Sequence, residues 1–168
     1  MLSDQQTSDL VALYHVEAEG EAFFSALLRA WKSSDVCFKL ALMIQMESET
    51  KAHIRSCLTG HGLFVADDIQ AMHRGQAKAS QYNDMPWLDF VRSLQGDVYI
   101  YTNLCREIAR RGAPTAMTAL AAVVAHEEAF LSFCSMELSH LHNTSVEPLM
   151  AYLHFQPYAG PNHPPLSK

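Results

Sequence analysis

From residue 10 the chain reads LVALYHVEAEGEAFFSALLRAW, in which Leu10, Leu13, Tyr14, Phe24, Leu28 and Trp31 recur on one face of a helix. Three later segments carry stripes of the same period. Leu40, Met43, Ile44, Ile54 and Leu58 form one, Phe90, Leu94, Tyr101 and Ile108 the next, and Leu120, Val123, Val124, Leu131, Cys134 and Leu138 the last. The spacing predicts four long helices at about 5–31, 35–59, 86–111 and 115–142. Between the first two lies KSSD, where Ser34 or Asp35 is expected to cap the second helix. Between the last two lies RRGAPT, with Gly112 to stop one helix and Pro114 to precede the other. Short links make each pair an antiparallel hairpin. A long connection, residues 60–85, joins the pairs and is expected to hold a short helix near 66–79. A short fifth helix is expected near 146–154, within a single domain of residues 1–155. The Pro-rich segment 156–168 is expected to be an extended or disordered tail.

The stripes are interrupted by acids. Glu17 lies amid the first, Glu47 amid the second and Glu127 amid the fourth, while Asp97 lies near the edge of the third. Glu127 follows Glu47 by 80 positions, and Asp97 follows Glu17 by the same 80. The offset also aligns LALMIQMES with LAAVVAHEE, a suggestion of internal duplication. One carboxylate per helix is therefore expected to project into a shared interior. A buried carboxylate is costly unless paired, protonated or bound to a cation.

In this pattern the chain resembles the ferritin-like superfamily, of the rubrerythrin and di-iron carboxylate oxidase type, over about residues 5–142. Glu17, Glu47, Asp97 and Glu127 match the four acidic positions of that family in order and rough spacing, and Phe24 falls where it often has an aromatic residue. The resemblance implies an all-α four-helix bundle of two antiparallel hairpins joined by a long crossover. It also implies two iron or manganese ions held by these four acids and used to activate dioxygen or peroxide. Tyr101, one turn past Asp97, is then a candidate to supply a proton or an electron. Both histidines of the family's Glu-x-x-His pairs are replaced, by Thr50 and by Phe130. Two other histidines lie nearby at other angles, His53 about 120° around the helix from Glu47 and His126 about 100° from Glu127. Glu49 and His53 form a further i, i+4 pair, expected at a surface or subunit contact.

Lys51, one turn after Glu47, and Glu21, one turn after Glu17, open a different reading. Acids, Lys51, tyrosine hydroxyls and water would satisfy the interior without metal, leaving a ferritin-like binding or interaction module. A second apolar face of Phe38, Leu42, Met46 and Cys57 needs cover and favours a homodimer. Nothing in the sequence encodes an iron-storage cage.

Composition narrows the field a little. The chain of 168 residues is 49% hydrophobic with a net charge of -6, which argues against nucleic acid as a partner. No unbroken run of about 18 apolar residues marks a membrane span. The polar first residues MLSDQQTSDL do not resemble a signal peptide, so a cytoplasmic location is expected. Cys37, Cys57, Cys105 and Cys134 form no C-x-x-C pair and are expected to be reduced residues of the core. No phosphate loop, H-E-x-x-H or G-x-S-x-G motif occurs. A small-molecule substrate is compatible with the pattern, but its identity is not legible.

Overall fold

A computed structural model describes residues 2–155. The expected tail, 156–168, lies outside them. Within that span the protein is all-α. The long helices are α1 (Asp4–Ala30), α2 (Ser34–Gly60), α4 (Trp87–Arg111) and α5 (Met117–Leu138). Two short ones are α3 (Ile69–Ala79), in the long connection, and α6 (Glu147–Tyr152), after the last hairpin. Single 3₁₀ turns follow α3 and precede α5.

Local chemistry sets the ends of these elements. Ser3 and Gln6 form a reciprocal capping box that starts α1. Ser33, not Ser34 or Asp35, caps α2, its hydroxyl facing the Val36 amide at 3.5 Å. Helix α5 ends at Leu138, short of the expected 142, because His140 turns the chain through a left-handed conformation at φ 61°. Gly112 does terminate α4, although with an extended backbone; a side chain there would collide with Leu120.

Helices α1 and α2 pack along their length as one hairpin, and α4 and α5 as a second. The hairpins meet through α2 and α5, while α3 lies along α1 and α6 along α5 and α2. The approach of α3 to α1 is close: a methyl group on Gly75 would run into the Glu19 carbonyl and the Phe23 amide. Helix α6 and Leu153 join Leu42 and Met46 in one buried cluster. Of the face that suggested a homodimer, Leu42 and Met46 are thus covered within the chain, while Phe38 and Cys57 stay half-buried. The stretch Pro114–Leu138 is long and apolar enough, by length and composition, to cross a membrane, which a search for one unbroken apolar run does not register. Half of its most apolar 18-residue window is buried, and its contacts with α2, α4 and α6 explain its apolarity within a bundle.

The apolar interior falls into two clusters. One gathers Phe23, Phe24, Leu40, Met43, Phe90, Phe130 and Phe133 near the α1–α2 turn. The other gathers Leu10, Leu13, Tyr14, Ile54, Leu58, Ile108 and Val123 near the opposite end. Between them lies a polar layer.

Candidate metal centre

The polar layer is built where three helices cross it. Glu17 follows Tyr14 of one cluster and precedes Phe23 of the other; Glu47 and His126 occupy the corresponding gap on α2 and α5. Glu17, Glu47, His126 and Glu127 are all buried, Glu17 and His126 to 1% exposure. One ligand atom each from Glu17, Glu47 and His126 lies within 4.8 Å of the others. His126 Nδ1 is 3.6 Å from Glu17 Oε2, and Nε2 is 3.7 Å from Glu47 Oε1 and 3.9 Å from Glu127 Oε1. Donors around one metal ion at bonds near 2.0–2.2 Å stand about 3–4 Å apart. An imidazole gives one ion a single nitrogen, so it is the spacing of Nε2 from Glu47 and Glu127 that suits a shared cation.

Each group has a reason to be where it is. Glu47 reaches the α1 backbone because residue 20 is glycine: a Cβ there would stand 2.5 Å from the Glu47 carboxyl carbon. His126 is held from α2. Thr50 Oγ1 lies 2.7 Å from His126 Nδ1, 2.6 Å from the Tyr152 hydroxyl and 2.9 Å from the Met46 carbonyl. A hydroxyl has one proton to give. If Thr50 donates it to Met46, it accepts from Tyr152 and from His126 Nδ1–H, and all three contacts are satisfied. That tautomer leaves the Nε2 lone pair facing Glu47 and Glu127. Phe130, where the family carries a histidine, stacks on Phe24 at 5.6 Å and lies against the His126 ring at 4.8 Å.

The electrostatics follow from burial. Desolvation raises the Glu17 pKa to about 8, with a hydrogen bond to Glu47 and the charge of Lys51 opposing it. Glu47 is held well above the usual carboxylate range by burial and then by the charges of Glu17 and Glu127; Glu127 is raised by burial and then by Glu17. Burial lowers His126 to about 3, so its ring is neutral. Glu17 Oε2 has no hydrogen-bond partner among the described residues. Lys51, the expected counter-ion, is bonded to Glu21, which also accepts from Ser48 at 2.9 Å. The cluster therefore holds protons in positions where a cation fits, and a neutral imidazole with three carboxylates is a donor set that binds one.

A second buried acid shows the contrast. Glu137 pairs with the buried Lys39 at 2.8 Å and accepts from Trp87 Nε1 at 2.6 Å and from Ser145. These bonds, led by the one from Lys39, outweigh burial and lower its pKa. That network is complete without any further ion, and no stripe in the sequence marks it.

Of the residues singled out in the sequence, the structure brings Glu17, Glu47 and Glu127 together. It does not bring Asp97 with them. Asp97 is exposed and bonded to Lys78 of α3 at 2.8 Å. Its place at the edge of the third stripe puts it on the side of α4 that turns to solvent. Tyr101 faces the cluster, its hydroxyl buried without an oxygen or nitrogen partner among the described residues and its pKa raised by burial and then by Glu17. His53 is not in the cluster; its ring lies tilted against that of His154 at 5.1 Å, while Glu49 accepts the His154 amide at 2.8 Å, so that pair anchors the segment after α6.

Helices α1 and α4 are spread apart over the cluster. Between them lies a cavity of about 390 Å³ whose walls include Val16, Phe24, Leu94, Val98, Ile100, Leu104 and Phe130. Glu17, Glu47, His126, Glu127 and Tyr101 also line it, and Lys78 and Asp97 stand at its edge. No protein-family model, no curated protein and no solved structure matches the chain.

Proposed function

We propose that this is a ferritin-like metal-carboxylate protein that binds iron or manganese at Glu17, Glu47, Glu127 and His126 and acts as an oxidoreductase on a small molecule. The observation that supports it is the burial, in one polar layer, of three carboxyls and a neutral imidazole whose donor atoms face one another without a bonded cation among the described residues. The contrast with Glu137, which has its own lysine, adds to this. Oxygen-rich donors with one imidazole suit iron and manganese. Two hairpins joined by a long connection, with acids on three of the long helices, agree with the ferritin-like reading. Were a pair of ions bound, Glu47, which feels the charges of both Glu17 and Glu127, would be among the residues that hold them.

When bound, such ions supply one-electron chemistry with dioxygen or peroxide. The chain's own residues do the rest. Thr50 and Tyr152 fix the His126 tautomer and hold its ring toward the carboxyls. Tyr101 places a hydroxyl over the cluster from α4, where it can hand on a proton. The apolar walls exclude bulk water from the reacting face.

A metal-free binding module is the competing reading, and a titration separates the two. Chelator-treated protein is titrated anaerobically with Fe(II) or Mn(II) by calorimetry in buffers of different ionisation heat, followed by elemental analysis of the gel-filtered product. We expect retained metal, proton release on binding, and loss of retention in Glu47→Gln by tenfold or more. Protein that retains no metal and shows no thermal stabilisation from either ion would leave the metal-free module.

A further inference from the structure

We infer that the cavity between α1 and α4 is a binding site for an uncharged, largely apolar molecule carrying one hydrogen-bond acceptor, which it presents to the Tyr101 hydroxyl. This names the substrate class of the proposed centre and rests on that reading for its functional meaning, though the binding itself does not require the metal.

Size comes first. A dry cavity of 150 Å³ accommodates a benzene ring. The cavity here, at about 390 Å³, would take on the order of fifteen non-hydrogen atoms on the same scale. Access comes next. Ile100 is 72% exposed and Leu104 48%, both on α4, with Val16 facing them from α1 at 40%. All three line the cavity, so an apolar surface runs from solvent down to the buried carboxyls. An apolar ligand is the occupant that such a surface desolvates favourably.

Polarity is set at the floor. The Tyr101 hydroxyl is buried, lines the cavity and has no oxygen or nitrogen partner among the described residues. The Cys105 thiol interacts with it from one turn along α4, and sulfur is a weak acceptor. A buried donor left without a strong acceptor is costly, and a ligand carbonyl or ether oxygen would relieve it. The floor also carries Glu17, Glu47 and Glu127, and Lys78 at the edge is paired with Asp97 at 2.8 Å. Among the described residues no free cation at the cavity awaits an anion, so a carboxylate in place of the neutral acceptor would be excluded.

Three naphthalene derivatives of similar shape test this on metal-free, full-length protein: 2-acetylnaphthalene, the hydrocarbon 2-isopropylnaphthalene and naphthalene-2-carboxylate. Binding is read by fluorescence at neutral pH. We expect the ketone to bind at least tenfold more tightly than the carboxylate. Tyr101→Phe should weaken the ketone about five- to tenfold while leaving the hydrocarbon unchanged. Leu104→Trp, which fills the mouth from an exposed position, should weaken ketone and hydrocarbon alike. Thermal melts check that both variants fold. A carboxylate that binds as well as the ketone, or a ketone affinity indifferent to both substitutions, would overturn the site. Because the protein is metal-free, failure of the metal reading leaves these results standing, and failure here leaves the metal titration intact.

Discussion

Glu17 and His126 illustrate how burial tunes neighbouring groups in opposite directions. Glu17 has its pKa raised from 4.5 to about 8, so the folded protein holds a proton that the unfolded chain has lost between those values. Stability of the metal-free protein therefore falls as pH rises through that window. His126, lowered from 6.5 to about 3, acts oppositely: the unfolded ring gains a proton below 6.5 that the folded ring refuses. Three raised carboxyls outweigh one imidazole. The loss should be steepest between pH 6.5 and about 8, where His126 no longer offsets it. Urea unfolding of chelator-treated protein across this range checks the trend, and Glu17→Gln should flatten it. At Gly20, a methyl group must push the Glu47 carboxyl aside. Gly20→Ala should leave a folded helical protein, measured by circular dichroism, with metal retention reduced at least tenfold. At this scale Glu17, Glu47 and Glu127 were legible because a charged residue inside an apolar stripe demands an explanation. Thr50 and Tyr152 were not, since their part is to orient His126 from two different helices.

The helices themselves were largely legible, with their errors at ends where a cap decides the boundary. The reading of His126 depends on how α5 sits. A helix buried along one stripe has an outside, and a residue 100° from the stripe centre belongs there. Helix α5 touches α4, α2 and α6, so much of its circumference is interior. His126 and Glu127, adjacent in sequence, are both buried for that reason. The signal was present in LAAVVA, where apolar residues run continuously around the helix before the histidine. Asp97 erred the other way. The cavity lies between α4 and α1, and the stripe's edge became a solvent face. The Lys39–Glu137 pair joins α2 to α5 beneath Trp87 of α4. Lys39→Met would strand a buried carboxylate, and urea denaturation should show a loss of about 3–5 kcal/mol. The carboxyl cluster is a separate layer, so metal retention at the proposed centre should be unchanged in that variant.

The molecule as a whole is two apolar clusters with a polar layer between them, opened on one side and closed on the other. Helices α5 and α6 close one side, where Leu42, Met46 and Leu149 are buried together. Two of the residues that suggested a homodimer, Leu42 and Met46, serve this internal packing. The open side, between α1 and α4, leaves the carboxyl layer accessible through apolar walls. Such an arrangement costs stability, since an apolar layer at the same place would avoid three buried acids. The proposed cation and small molecule, bound from the open side, would give the layer a purpose. Anomalous diffraction from crystals of the full-length protein grown with Mn(II) tests this most directly. The proposed centre predicts a peak inside the bundle bounded by carboxylate oxygens of Glu17 and Glu47 and a ring nitrogen of His126, with Glu127 alongside. Density without any such peak, with Glu17 and Glu47 joined by a shared proton under saturating Mn(II), would contradict it.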